Sequence, residues 1–576
     1  MPEGSRHADP VGADPGVRSW PPPSPRGRRP GAPPSIRRVT SALRLTVLTA
    51  EPADALLGWL ARSGAELHDA LGAPVDAVVV LDSSVLSDEV EDALLATAAA
   101  GTPVLLVGPR MSTALTDATG LVPGRVLPVH AVRVRPGRDA GEVARRLGGE
   151  ELVLTDCWPL LDKVADDVQE LLTANTAFTN HPVATWRPST SVGTLTFGST
   201  PTTLQDPAYA RLLHRVLRHV TGRRDAPAVR VGMLGYGAIG HEHALAIGLT
   251  EGLELAAVCD TDPRRVEAAR EHAPDVRGFS DGADLLADAG VDLVIVSTPP
   301  NTHADWVLAA LQAGKHVVVE KPFCITVAEA DRQIAAAAEA GLTLAVYQNR
   351  RWDADYLAVK KAVRAGALGE VFHLETFIGG YDHPCNFWHS DAEISGGAIY
   401  DWGSHYLDWV LDLFPQEVEW VSATAHKRVW HDVTNADHTR VLLHFTDGVE
   451  AEFTHSDLAA ARKPKFYALG TEGGLIGSWQ QERILRRSPI GLVEEDRFAV
   501  SDAPASLELF AADGSVTRLA VPPPPPQPFH RELADALLAG APMSVTPQGS
   551  RRNIAVMQAA TLSAADGGRP VAPPTS

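Results

Sequence analysis

The chain has 576 residues, 45% of them hydrophobic, and a formal net charge of -20 at pH 7. At about 150 residues per domain, this length predicts three or four domains with cores of ordinary size. The acidic balance argues against nucleic acid and anionic membranes as partners, because both require clustered lysine and arginine.

The four cysteines are scattered along the chain and form no C-x-x-C pair; they are Cys157, Cys259, Cys324 and Cys385. This spacing predicts neither a disulfide framework nor a zinc site, and a reducing cytoplasm is the expected location. No stretch of the sequence approaches the about 18 consecutive apolar residues that a membrane span requires.

Two segments precede the first recognisable motif. Residues 1–41 are rich in proline, glycine and arginine and lack apolar periodicity, which predicts a disordered tail. In residues 42–224, short apolar runs at 43–48, 77–81 and 103–107 alternate with helical stretches. This alternation predicts a parallel sheet covered on both faces, as in a flavodoxin-like three-layer domain.

The end of that segment carries three landmarks, His181-Pro-Val-Ala-Thr-Trp186, Gly193-Thr-Leu-Thr-Phe-Gly-Ser199 and Leu204-Gln-Asp-Pro-Ala-Tyr209. Residues 150–222 thereby resemble the C-terminal half of a ThuA-like domain, a relative of class I glutamine amidotransferases associated with carbohydrate use. An amidotransferase needs a cysteine on the sharp turn after a central strand, and the run at 103–110 has none. We therefore expect a substrate-handling, assembly or vestigial role.

A glycine-rich turn follows at 229–240, Val-Arg-Val-Gly-Met-Leu-Gly-Tyr-Gly-Ala-Ile-Gly, between an apolar strand and a helix from about Ile239. The pattern fits G-x-G-x-x-G, in which the glycines allow a tight turn, approach of a pyrophosphate and close helix packing. The predicted cofactor contacts in this turn are Gly235, Tyr236, Gly237, Ala238, Ile239 and Gly240.

Asp260 follows the next apolar run, at about the 20-residue distance where a carboxylate binds the ribose hydroxyls of NAD. A carboxylate there repels the extra phosphate of NADP, which favours NAD, although Arg264 and Arg265 lie close enough to leave NADP as the alternative. The structural alternative for Asp260 is a helix N-cap or a turn residue before Pro263.

Strands and helices alternate as far as residue 348, which predicts a doubly wound Rossmann domain over 225–348. Ligands bind such sheets at the carboxyl ends of the strands. The predicted cofactor-binding residues at those ends are Ser297, Thr298, Pro299, Asn301, His303, Glu320 and Lys321.

Two further runs join the glycine turn: Thr298-Pro-Pro-Asn-Thr-His303, leading to Ala313-Gly-Lys-His-Val-Val-Val-Glu-Lys-Pro322, and Gly396-Gly-Ala-Ile-Tyr-Asp-Trp-Gly-Ser-His405. With them, residues 229–570 resemble a Gfo/Idh/MocA oxidoreductase. The resemblance implies that Lys321 lies beside the nicotinamide and a substrate hydroxyl, and that Asp401 and His405 complete the catalytic group. It also implies that 349–576 form an open, mainly antiparallel sheet with helices on one face, whose broad face makes homo-oligomers.

The chemistry of these residues agrees with that role. Partial burial lowers the pKa of a lysine, which suits Lys321 to proton transfer. Asp401 and His405 are four apart in a predicted helix, so a carboxylate would orient an imidazole that takes an alcohol proton. The structural alternatives are a surface pair of Lys321 with Glu320 and a helix pair without catalytic function.

The loop at 379–389 contains His383, Trp388 and His389, which either stack on a sugar or pack the loop. The predicted substrate-binding residues are Lys321, Arg350, Trp388, Asp401 and His405. No metal site is predicted, because His383, His389 and Cys385 lack an acidic partner.

We therefore expect an NAD-dependent oxidoreductase that transfers a hydride between a sugar, polyol or related hydroxyl and nicotinamide. Two alternatives remain at this stage. One is a hydrolase that holds NAD tightly and cleaves a glycosidic bond through transient oxidation. The other is a sugar-responsive regulator without turnover, against which the retention of Lys321, Asp401 and His405 weighs.

Overall fold

The computed structural model describes residues 43–49, 53–62, 65–71, 74–81, 86–108, 112–141, 143, 152–163, 165–176, 179–223, 228–384, 388–480, 482–487, 493–498 and 504–575. The predicted tail at 1–41 lies outside these residues, as does Cys385. Among the described residues, no helix combines the length and the apolar character needed to cross a bilayer.

The N-terminal region forms a mixed sheet with helices. Its elements are β1 (Arg44–Leu48), α1 (Asp54–Arg62), β2 (Glu66–His68), β3 (Ala77–Val80), α2 (Asp88–Ala99), β4 (Val104–Val107), α3 (Thr113–Thr119), β5 (Leu121–Pro136), β6 (Leu152–Lys163), β7 (Gln169–Thr176), β8 (Thr179–Arg187), β9 (Val192–Leu195), α4 (Pro201–Leu204) and α5 (Pro207–Val220). The nine strands lie in the order β2-β1-β3-β4-β9-β8-β7-β5-β6.

This sheet is parallel from β2 to β9 and antiparallel from β9 to β6. The parallel half agrees with the predicted alternation of strands and helices, whereas the antiparallel half departs from a flavodoxin-like domain. The physical reason is the pattern of β5 and β6, in which many side chains are exposed between buried ones. A sheet that faces water on one side is typically antiparallel.

The middle of the chain forms a second sheet, with an order that confirms the predicted Rossmann topology. Its elements are β10 (Val229–Leu234), α6 (Ala238–Leu249), β11 (Leu253–Cys259), α7 (Pro263–Ala269), β12 (Arg277–Phe279), α8 (Gly282–Ala287), β13 (Leu293–Val296), α9 (His303–Gln312), β14 (His316–Glu320), α10 (Val327–Ala340) and β15 (Leu344–Tyr347). All pairs in the order β12-β11-β10-β13-β14-β15 are parallel, so the carboxyl ends of the strands meet at one edge.

The C-terminal part forms the predicted, mostly antiparallel sheet. Its elements are α11 (Ala354–Arg364), β16 (Val371–Gly379), α12 (Ala392–Ser395), α13 (Ala398–Asp401), α14 (Gly403–Leu413), β17 (Val418–His426), β18 (His438–Phe445), β19 (Glu450–Ser456), β20 (Phe466–Gly470), β21 (Gly473–Ser478), β22 (Glu482–Arg487), β23 (Val493–Phe498), β24 (Ser506–Ala511), β25 (Val516–Arg518), α15 (Pro528–Ala539) and α16 (Pro547–Ala565). The eight-stranded sheet runs β17-β18-β19-β16-β20-β21-β24-β25, and only its β16–β19 pair is parallel.

Helix α15 follows the C-terminal sheet in the chain but returns to the Rossmann core. Its apolar side chains, among them Phe529 and Leu533, pack in one cluster with Val229 and Val231 of β10. Burial of such side chains stabilises the contact by roughly 1.5–3 kcal/mol each. Helix α15 therefore completes the Rossmann core, although it lies about 200 positions further along the chain than β15, the last Rossmann strand.

The N-terminal sheet is joined to the same helix by charged side chains of α5. Arg211 forms an ion pair with Asp535 of α15, and Asp535 also accepts a hydrogen bond from Arg531 Nη2 at 3.0 Å. Arg215 and Arg218 of α5 both bind Glu251 of the Rossmann region. These side chains are largely buried, so the interface between the two regions is a network of ion pairs shielded from water.

Candidate active site

The glycine turn has the geometry that each glycine was predicted to supply. Gly235 has φ +92°, and a Cβ there would lie 2.6 Å from the carbonyl oxygen of Ser297. A Cβ on Gly240 would lie 3.1 Å from the carbonyl oxygen of Gly235, whereas one on Gly237 would meet nothing within 4 Å. Gly237 is the N-cap of α6 and provides no side-chain cap. Free amides and open space at this point fit a pyrophosphate.

Asp260 lies at the end of β11 and braces the glycine turn. Its side chain is 2% exposed; Oδ2 accepts a hydrogen bond from Tyr236 N at 2.8 Å and Oδ1 accepts one from Asp262 N at 2.9 Å. Arg265 Nη1 lies 3.6 Å from Oδ2, and the side chain of Arg264 is 87% exposed. The carboxylate is thus held at the strand end where a ribose would bind, with Arg265 beside it, while Arg264 pairs with Asp262.

The segment after β13 also faces the turn. Ser297 Oγ donates to the carbonyl of Gly235 at 2.8 Å, and the hydroxyls of Thr298 and Thr302 are 2.7 Å apart. Pro299 is partly buried and Asn301 is exposed. These residues bring the second strand end against the first, as the doubly wound topology requires.

His303 was predicted to contact the cofactor, but its side chain points into the protein. The ring is 1% exposed, with Nδ1 2.8 Å from the carbonyl oxygen of Pro322 and Nε2 2.8 Å from that of Thr298. Burial lowers its pKa. The imidazole therefore links two strand ends instead of lining the crevice, because a buried ring must satisfy its nitrogens with nearby carbonyls.

Lys321 follows the last residue of β14 and forms an ion pair across the crevice with Asp401, which lies at the end of α13. Nζ is 3.0 Å from Oδ1, and the two side chains are 24% and 32% exposed. Burial raises the pKa of the Asp401 carboxyl, but the ammonium of Lys321 and the imidazoles of His389 and His455 lower it further than burial raises it. Lys321 is thus paired with Asp401, and the predicted alternative of a surface pair with Glu320 is wrong.

Glu320 was also predicted to contact the cofactor, and its side chain too points away from the crevice. Oε1 lies 2.8 Å from Nε2 of His243, and Oε2 accepts a hydrogen bond from Lys321 N at 3.1 Å. His243 Nδ1 in turn lies 2.9 Å from Nε2 of His530 on α15. All three side chains are buried. This buried network of Glu320, His243 and His530 consequently fixes the backbone of Lys321.

His405 is buried at 5% exposure in α14, but Asp401 does not orient it. Trp402, which separates α13 from α14, keeps helical dihedral angles (φ -74°, ψ -32°), but the Asp401 carboxylate is held by Lys321 Nζ at 3.0 Å instead. Among the described residues, no partner accompanies the buried Nδ1 of His405. Burial, with the charges of Lys321 and Arg350, holds the pKa of His405 well below its usual value. The ring is therefore neutral, and one nitrogen is unoccupied.

Arg350 and Trp388, both predicted to bind substrate, border this group. The Arg350 guanidinium carbon lies 5.0 Å from the centre of the Trp402 ring, and Nη1 is 3.1 Å from Asp353 Oδ2. Trp388 stacks on His389 with ring centres 3.6 Å apart. The described residues contain no group of three side chains suited to hold a metal ion.

Two histidines belong to the group although the predicted site omits them. Burial lowers the pKa of His389, and the charges of Asp401 and Lys321 act on it as well. His455 continues the buried face of β19 after Ala451 and Phe453. The sequence could have indicated His455, because this histidine lies at a strand end on the same face as apolar residues. His389 carried no comparable signal.

Comparison with known proteins agrees with the fold and the crevice. Residues 229–348 match the family described as "Oxidoreductase family, NAD-binding Rossmann fold", and residues 356–476 match the GFO/IDH/MocA C-terminal domain. The uncharacterized oxidoreductase YdgJ of Escherichia coli (strain K12) is 34% identical over 257 residues, which cover 43% of this chain and 70% of YdgJ.

Two further relatives match this chain over almost their whole length. The scyllo-inositol 2-dehydrogenase (NADP(+)) IolW of Bacillus subtilis (strain 168) is 28% identical over 347 residues, 59% of this chain and 94% of IolW. The crystal structure of an NAD-binding protein from Listeria innocua is 26% identical, with a TM-score of 0.51, and covers 60% of this chain and 96% of that one. The chain is an oxidoreductase and belongs to the Gfo/Idh/MocA family.

Proposed function

We propose that this protein is a dehydrogenase that transfers a hydride between a hydroxyl-bearing carbon of a sugar or polyol and a nicotinamide cofactor, NAD. The observation that carries the proposal is the Lys321–Asp401 ion pair beside the neutral, unpartnered Nδ1 of His405. The similarity to IolW and to the myo-inositol 2-dehydrogenase of Thermotoga maritima, 30% identical over 224 residues, supports a polyol or sugar as substrate.

The cofactor would be held by the turn at Gly235, Gly237 and Gly240 and by the strand-end residues that follow β11 and β13. When bound, the dinucleotide supplies the acceptor or donor of the hydride. Asp260 favours NAD, since its carboxylate repels a phosphate on the ribose. Arg264 and Arg265 would lessen that preference, and the related IolW is named as an NADP(+) enzyme.

The chain's own residues handle the proton of the substrate hydroxyl. In oxidation, the free nitrogen of His405 accepts that proton while the carbon becomes a carbonyl, because a neutral ring is available at pH 7. In reduction the same path runs backwards: protonated His405 returns the proton to the carbonyl oxygen, and Lys321 Nζ donates a hydrogen bond to that oxygen in both directions. Asp401 accepts a hydrogen bond from Lys321 Nζ at 3.0 Å and directs it across the crevice.

The experiment is a survey of purified protein with NAD or NADP against sugars, inositols and sugar phosphates, followed by the absorbance of reduced nicotinamide. We expect turnover of at least one polyol or sugar, with higher kcat/KM for NAD than for NADP. Lys321→Ala is expected to lower kcat by about 10²–10³-fold, the usual cost of removing one hydrogen-bond donor to the reacting oxygen. Full activity in that variant would refute the assigned role.

We further propose that the chain divides into a ThuA-like domain at 42–224, a Rossmann domain at 225–348 and a substrate and oligomerisation domain at 349–576. The absence of cysteine at 103–110 supports an assembly role, not amide chemistry, for the first domain. Its ion pairs with Glu251 and Asp535 support that role. If Arg211→Ala leaves both the melting temperature and kcat unchanged, assembly is not its role.

The outer face of the C-terminal sheet supports self-association. Tyr467, Leu442 and Ile476 are partly exposed on it, and apolar side chains on an open sheet favour a second copy as partner. Sedimentation of Ile476→Arg beside the unmodified protein tests this, since a charge there should dissociate the oligomer.

A further inference from the structure

An aromatic cluster lies on two loops outside the catalytic group. Trp430 has its ring centre 4.8 Å from that of His383 and 6.1 Å from that of Tyr381, both in edge-to-face geometry. Tyr381 is 54% exposed. His383 Nε2 lies 2.8 Å from Asp432 Oδ2, and the Asp432 side chain is 60% exposed. We call Tyr381, His383 and Trp430 the aromatic platform.

The platform is held by a buried carboxylate. Asp437 is fully buried and accepts hydrogen bonds from Lys427 Nζ at 2.8 Å, Arg428 N at 2.6 Å and Val429 N at 2.7 Å. Burial raises the pKa of Asp437, but these donors lower it more, to about 2. The loop that presents Trp430 therefore has a fixed backbone, while Trp430 is partly exposed and Tyr381 exposed.

The same loop is joined to the catalytic group. Asn435 Nδ2 donates to the carbonyl of His389 at 2.7 Å, and Trp430 Nε1 donates to the carbonyl of Asp457 at 3.4 Å. His455, which acts on Asp401, is two residues before Asp457, about 7 Å along an extended chain. The loop that carries Trp430 is therefore hydrogen-bonded beside His389 and close in the chain to His455, the two imidazoles that act on Asp401.

We propose that the aromatic platform is a subsite for a second, uncharged sugar ring attached to the ring that reacts. This inference rests on the proposed carbohydrate dehydrogenase function and narrows its substrate to a glycoside. Aromatic faces pack on the apolar face of a pyranose, and the exposed Asp432 carboxylate accepts hydrogen bonds from its hydroxyls. That carboxylate also disfavours an anionic group at this position.

The test compares free glucose with maltose and cellobiose, by steady-state turnover with NAD and by calorimetric titration of the protein. Trp430→Ala should raise KM for the preferred disaccharide about fivefold to tenfold, with kcat and the KM for glucose unchanged, because stacking on one ring is lost. Phe372→Ala is the matched control: this aromatic residue is 47% exposed at the start of β16, about 30 Å along the chain from Tyr381.

Titration separates a failure of this inference from a failure of the proposed function. If the protein binds a disaccharide without turning it over, and Trp430→Ala weakens binding while Phe372→Ala does not, the subsite is supported and the dehydrogenase is not. Equal affinity for the disaccharide in all three proteins, or no binding of either disaccharide to the unmodified protein, overturns the subsite. So does a Trp430→Ala effect of equal size on glucose.

Discussion

Replacement of His243 by alanine should destabilise the Rossmann domain and displace the catalytic lysine together. His243 is fully buried and lies 2.8 Å from a Glu320 side chain that is 8% exposed. Removal of one partner leaves a buried polar group without its hydrogen bond, which costs about 1–3 kcal/mol. Because Glu320 also accepts the hydrogen bond of Lys321 N, a shift of its carboxylate moves Lys321.

Urea unfolding and amide hydrogen exchange of the peptide that contains 316–321 measure this effect. We expect His243→Ala to lower the free energy of unfolding by about 1–3 kcal/mol and Glu320→Gln to restore part of it in the double variant. His272→Ala is the control, since His272 is exposed. Additive losses in the double variant would refute the coupling, as would a Lys321 peptide that exchanges at the unmodified rate.

The remaining predictions concern the crevice. Gly237→Val should fold normally yet lose dinucleotide affinity in a calorimetric titration, because its side chain enters open space in the protein. Gly235→Ala should melt at a lower temperature, since φ is +92° and the methyl would lie 2.6 Å from a carbonyl oxygen. Asp401→Asn should lower kcat with little change in cofactor affinity, because Lys321 loses its ion pair; an unchanged kcat would contradict that role. The folded pKa of His405 lies below its unfolded value of about 6.5, so the unfolded chain binds the extra proton and stability falls as pH drops below that value. Thermal melts of His405→Gln should show a weaker dependence of stability on pH, because up to one proton fewer is taken up on unfolding.

Local patterns in the sequence predict much of the fold. The predicted alternation of strands and helices as far as residue 348 is observed, for example in α10 (Val327–Ala340), which begins with a capping box of Thr326 and Glu329. The glycine turn also appears as expected, because the need for its three glycines arises from short-range steric contacts. Such features depend on neighbours in the chain and can be read without knowledge of the tertiary contacts.

Long-range contacts are where the sequence predictions fail. The amphipathic pattern of α15 indicates a buried face but not that β10, three hundred residues earlier, covers it. The spacing of Asp401 and His405 predicts a contact between the two side chains, whereas Asp401 pairs with Lys321 Nζ, 3.0 Å away, instead. Glu320 and His303 are polar residues at strand ends, and whether such side chains face the crevice or the core depends on partners such as His243 and Pro322.

Transfer of deuterium tests the proposed reaction most directly. The best substrate of the survey is labelled with deuterium at the reacting carbon, and the reduced nicotinamide is analysed by mass spectrometry. The proposed function predicts one deuterium in the reduced cofactor and a lower kcat for the labelled substrate in the unmodified protein. Turnover of that substrate without deuterium in the cofactor would contradict hydride transfer at this site.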